Sequence, residues 1–304
     1  MKKTYHLCLS AGEEVMFRDV EDYNRGFNCL ALALFNTNST GLVESEMSTH
    51  YHQVIQSAAP DEFMHNFRLS YSMYFNRKYH RSGKLGEKSH YTIEVIGYNH
   101  MIAAMSYVLR NALHHGVASI PYAYPFSSVN SIFMKEMGKM PYGEILDPRY
   151  YRRFINKSSQ VSDKYVMSKS GVFLRESVLD IPQVENLFVT PRSFNWHMTR
   201  KSSEEWEAEQ EKDNNNLPPI NLSVIEKGIT MNTSAEMLIN ENGKSNYRRY
   251  SDIDICGKID NEILPEYGKL SVYHLSIQEK QQIAETLYRT LHLSESQIRR
   301  CLVM

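Results

Sequence analysis

The first 116 residues switch repeatedly between a strand-like hydrophobic period of two and a helical period of about 3.6, which restricts the fold more than any other feature of the chain. Residues 4–10 (Thr-Tyr-His-Leu-Cys-Leu-Ser) read as a first strand. From about Asp22 to Phe35, the positions of Phe27, Leu30, Ala31 and Leu34 predict a helix. Gly41 to Met47 and His50 to Gln56 read as two more strands. Asp61 to about Tyr79 reads as a second helix, with Phe63, Phe67, Tyr71, Tyr74 and Phe75 largely on one side. A strand over Tyr91–Ile96 and a helix from Tyr98 to about Leu113, stopped by Gly116, follow. This order suits an α+β class: a ferredoxin-like antiparallel sheet with helices on one face.

That layer accounts for a domain over residues 1–130, leaving residues 131–304 as a mixed, mainly helical C-terminal accessory region. Within it, residues 207–221 carry an acidic run, three consecutive Asn and Pro218-Pro219, and read as an exposed linker or flexible loop. Ser276 and Glu279 form a capping-box pattern ahead of Ile283, Leu287 and Leu291, and Ser294 then caps a second short helix to Val303. The pair over 276–304 fits either the start of a helix-turn-helix or a helical hairpin packed on the sheet layer.

Composition narrows the setting. Apolar residues make up 42% and charged residues 23% of 304 positions, as in ordinary globular proteins. No apolar run approaches the roughly 18 residues of a membrane span, and the N-terminus lacks the apolar core of a signal peptide. Cys8, Cys29, Cys256 and Cys301 lie far apart without CxxC spacing, which points to reduced thiols and a cytoplasmic protein. The net charge of −1 does not advertise a nucleic-acid partner, yet Arg77, Lys78, His80, Arg81, Lys84 and Lys88 form a local basic stretch opposed only by Glu87.

Two short patterns carry chemistry. His50 and His52 alternate on a strand, so both imidazoles share a face and can address one metal ion. Alone, such a pair has little specificity. Tyr107 and Asn111 stand four apart in the third helix, which predicts one face and one turn between them. Imidazole nitrogens with an amide oxygen suit Mn²⁺ or Mg²⁺. A tyrosine hydroxyl, a poor nucleophile at its free pKa of about 10, becomes useful where a metal polarises the electrophile. Tyr51, between the two histidines, points to the opposite face and reads as core.

These patterns, together with Tyr5-His6-Leu7, Met47-Ser48-Thr49-His50-Tyr51-His52, the run from Tyr74 to Leu85, the run from Tyr107 to Gly116 and Pro125-Phe126-Ser127-Ser128, resemble the HUH single-tyrosine transposases, in the REP-associated tyrosine transposase branch. The resemblance covers roughly residues 4–130. It implies that His50, His52 and Asn111 bind Mg²⁺ or Mn²⁺, that Tyr107 is the catalytic nucleophile, and that Arg77, Lys78, Arg81, Lys84 and Lys88 meet phosphates of single-stranded or hairpin DNA. The implied activity is metal-dependent single-strand cleavage and strand transfer through a 5′-phosphotyrosine intermediate, by a monomer or homodimer. The chain departs from the family at Ser48-Thr49, where Pro-Asn is usual, and at Ala112, where Pro usually follows the Asn. Those departures keep open an alternative, a domesticated protein that binds structured single-stranded DNA without cutting it. A replication initiator or relaxase is a third option, disfavoured by the absence of a GxxxxGK[ST] phosphate loop.

Overall fold

The computed structural model describes residues 1–139, 143–156, 159–199, 204–213, 217–229 and 250–304. Four strands, β1 (Lys3–Ser10), β2 (Thr40–Glu46), β3 (His50–Ser57) and β4 (Tyr91–Glu94), form one sheet in the order β2-β3-β1-β4. Every neighbouring pair is antiparallel. Helix α1 (Val20–Asn36) connects β1 to β2, and α2 (Pro60–Lys78) connects β3 to β4. This is the expected α+β, ferredoxin-like layer.

The strand alternation sorts side chains between two unlike faces. On one, α1 and α2 bury an aromatic core that includes Phe27, Phe63, Phe67 and Tyr71. Tyr51 from β3 joins it, 5.1 Å from the Phe67 ring. The other face carries His6 and Cys8 of β1 beside His52 of β3, and a third helix, α3 (Tyr98–Leu109), covers it. The sheet is therefore sandwiched, with helices on both faces. The reason is written in α3 itself: Ile102 through Leu109 are all buried, and a helix apolar on every side needs cover on every side. Short helices at Ile181–Phe188, Pro191–Thr199 and Glu204–Gln210 supply the outer cover.

Consequently the main core does not stop near residue 130, but runs from Leu7 to Ile225. The segment expected to be a linker is also packed where it is described. Asp213 caps α3 by accepting from the amides of Asn99 (3.2 Å) and His100 (2.8 Å). The Gln210 side chain pairs both ways with the Ile220 backbone, at 2.9 and 2.7 Å. Its three consecutive Asn lie outside the described residues.

The C-terminal helices Asp252–Lys258, Ile277–Leu291 and Glu295–Leu302 build a second core, to which Val15 of the β1–α1 loop contributes. Ser276 and Glu279 do form the capping box, and Ser294 caps the last helix through the Gln297 amide. That last helix turns Gln297, Ile298, Arg300, Cys301 and Leu302 inward and packs against Ile277–Leu291. Buried ion pairs seat it: Arg300 grips Asp252 with two bonds of 2.8 Å, and Arg18 meets Asp260 at 2.8 Å.

Candidate active site

The site begins at the β2–β3 turn. Backbone bonds between Met47 and His50 (2.8 and 3.3 Å) close it and launch β3. His50 and His52 then emerge on the α3 face, 5.0 Å apart between ring centroids and buried. The departing turn positions, Ser48 and Thr49, are both engaged. The Thr49 hydroxyl lies 3.1 Å from His50 Nδ1, and Ser48 donates to Asp252 at 2.6 Å, tying the turn to the C-terminal helices.

Ring-nitrogen contacts orient both imidazoles. His52 Nδ1 lies 2.9 Å from His6 Nε2, and His50 Nε2 lies 3.0 Å from Asn111 Oδ1. Burial holds both rings well below the ordinary histidine pKa, with the neighbouring histidines adding to the effect, and it pushes His6 down to about 3. That direction favours the neutral imidazole, the form that ligates metals.

Tyr107 arrives from α3, its ring edge-on to His52 at 6.1 Å and stacked on His114 at 4.9 Å. The spacing of Tyr107 and Asn111 does not rest on one continuous helix, as the sequence suggested. The helix breaks at Arg110, whose amide bonds to both Ser106 O (3.0 Å) and Tyr107 O (3.2 Å), and a separate short helix, α4 (Asn111–His114), begins. Asn111 is wholly buried. Its Nδ2 has no hydrogen-bond partner among the described residues.

The structure thus brings together His50, His52, Tyr107 and Asn111, and adds residues that sequence reasoning missed. His6 supports His52 from β1. His115, read only as part of a helix stop, packs on His50 at 4.7 Å. Glu226, from the turn Glu226–Gly228, accepts a hydrogen bond from the Tyr107 hydroxyl at 2.9 Å and stands 3.2 Å from His115 Nε2. Burial first, and the Glu226 charge second, hold the Tyr107 hydroxyl well above its ordinary pKa. Tyr107 is 5% exposed.

The basic stretch divides. Lys78 is engaged by Asp19 (2.7 Å) and the buried Asp22 (2.9 Å), in a cluster that Tyr74 and Tyr79 complete and that ties α2 to α1. Arg81 lies over the Tyr273 ring at 5.0 Å. Arg77, Lys84 and Lys88 are exposed. The loop carrying Lys84 and Lys88 is held to the end of β1 by the Glu87 amide on Ser10 O (2.9 Å), and Ser10 is the register partner of His50. Arg68, Lys84, Lys88 and His90 line a groove of about 470 Å³ beside it.

Among the described residues, no group of three His, Cys, Asp or Glu side chains is arranged to hold a metal ion. A donor set here depends on the Asn111 amide. No protein-family model and no curated protein matches the chain. Among solved structures it is similar to that of a REP-associated tyrosine transposase bound to a REP hairpin, with 11% identity and a TM-score of 0.38 over 48% of this chain and 90% of that one. Agreement that low carries no inference about activity, which has to come from the site residues.

Proposed function

We propose that the protein is a metal-dependent single-strand DNA transesterase of the HUH type, with Tyr107 as nucleophile. One observation carries this reading: two neutral imidazoles, a buried amide oxygen and a tyrosine hydroxyl gather on one sheet face from β3, α4 and α3. His50, His52 and Asn111 would hold Mg²⁺ or Mn²⁺. The donor chemistry fits. Thr49 and His6 each engage the Nδ1 of one ring, as hydrogen-bond partners of metal-bound histidines do, and the amide oxygen is a suitable ligand for a hard cation. Such an ion supplies Lewis-acid polarisation of a phosphate oxygen.

The chain's own groups do the rest. The Tyr107 hydroxyl attacks the scissile phosphorus, giving a 5′-phosphotyrosine link and a free 3′-OH. Attack by a second 3′-OH then frees Tyr107 and joins strands. Bond energy is conserved across both steps, so no nucleotide cofactor is needed. Arg77, Lys84 and Lys88 meet the phosphates of single-stranded or hairpin DNA, whereas Lys78 and Arg81 serve chiefly to hold the fold.

Incubation of a single-stranded oligonucleotide with the protein and Mn²⁺ should give a covalent adduct that survives denaturing electrophoresis, and EDTA should abolish it. A second reading, binding without cutting, draws on the near-complete burial of the Tyr107 hydroxyl under Glu226. Oligonucleotide binding with no adduct under Mg²⁺ or Mn²⁺ would favour it.

A further inference from the structure

We infer that Glu226 is the general base of the reaction, a catalytic residue contributed by the C-terminal region. The inference rests on the proposed function of the site. For Tyr107 to attack phosphorus its hydroxyl must lose a proton, and burial holds that proton tightly. The acceptor in hydrogen-bond contact with the hydroxyl is Glu226 Oε1, at 2.9 Å, within the reach a general base requires. The carboxylate is positioned by its backbone: Glu226 follows directly on Ile225, which is anchored in the main core, and His115 Nε2 stands 3.2 Å from the same oxygen without a hydrogen bond to it. A base on the nucleophile and a third group beside the base is the arrangement by which weak nucleophiles are activated. Neither metal-ligand histidine is in hydrogen-bond contact with the Tyr107 hydroxyl, so the role falls to a residue 119 positions away in sequence.

The step balances as follows. The Tyr107 proton passes to Glu226 as the Oη–P bond forms and the P–O3′ bond breaks. The departing 3′ oxygen keeps the bonding electron pair and takes a proton from solvent. In the joining step the incoming 3′-OH gives its proton to solvent, its oxygen bonds to phosphorus, and the protonated Glu226 returns a proton to the departing Tyr107 oxygen. Nothing is oxidised or reduced.

The test uses the full chain with a single-stranded oligonucleotide and Mn²⁺. Glu226→Gln keeps an acceptor for the hydroxyl but cannot take its proton. Adduct formation should slow on the order of 10²-fold or more while oligonucleotide affinity stays within about twofold. Glu226→Ala should be equally slow, and added acetate should restore part of its rate, which a purely structural role would not allow. If the parent protein forms adduct and Glu226→Gln forms it equally fast or faster, Glu226 merely shields the hydroxyl and the inference fails alone. Failure of Glu226→Ala to respond to acetate would also count against it. If the parent forms no adduct, the transesterase reading itself fails and takes the inference with it.

Discussion

Replacing Tyr107 with Phe should lower the rate of covalent DNA capture by on the order of 10³-fold or more, because the change removes the atom that bonds to phosphorus and little else. The ring would keep its stack on His114 and its edge contact with His52. The loss is one hydrogen bond to Glu226, which costs about 1 kcal/mol, since His115 still stands beside that carboxylate. For a chain of this size that corresponds to a fall in Tm of roughly 1–2 °C. Denaturing gels read alongside a thermal melt therefore separate a missing nucleophile from a missing fold. A Phe variant that forms adduct at the parent rate would remove Tyr107 from the chemistry.

The second large effect is expected on stability. Arg175 reaches from the C-terminal region into the sheet, where its Nε lies 2.5 Å from Glu44 and its Nη2 lies 3.5 Å from Glu46. Both carboxyl groups lie on the α1 face of β2 and are wholly buried. Gly26 makes room for Glu46, since a Cβ at that position would lie 2.5 Å from its Oε1. Burial raises both carboxyl pKa values, Glu44 raises that of Glu46 further, and the Arg175 charge opposes these shifts. Arg175→Met leaves two buried acids without their cation and should cost about 3–5 kcal/mol. That is a large share of the 5–15 kcal/mol typical of a native protein.

The sign with pH follows from the raised folded-state values. A buried carboxyl that binds its proton more tightly when folded favours the native state at low pH, and that advantage is lost as pH rises through the folded pKa. The deficit of Arg175→Met should therefore be largest near neutral pH and narrow as pH falls towards the ordinary carboxyl value of 4.5. Urea melts at neutral and acid pH would show this. A deficit independent of pH would point to lost packing of the guanidinium on Phe27, whose ring it covers at 4.5 Å.

Much of the sheet layer was legible because each strand and helix announces its own period. Strict alternation sent His50 and His52 one way and Tyr51 the other. The break at Arg110 was not legible, since the helical spacing from Ile102 to Leu113 gives no local sign that one amide will share two carbonyls. The partition of the basic stretch was equally hidden. Lys78 and Lys84 look alike in sequence, and only the fold puts Asp19 and Asp22 against the first and solvent around the second. His6 did carry a signal, a separation of two from Cys8 that puts both on one strand face, but the register of β1 on β3 was needed to use it. Glu226 carried none. Its turn lies far beyond the strands and helices that form the sheet layer, and nothing around it in sequence predicts where its carboxylate goes.

The measurement that bears most directly on the central claim is mass spectrometric mapping of the DNA-linked peptide after reaction with a single-stranded oligonucleotide and Mn²⁺. The expected result is one nucleotide-bearing residue, Tyr107, joined through a 5′ phosphate, with a free 3′-OH on the released strand. Attachment at any other residue, or strand cleavage that leaves no protein-linked product, would contradict it.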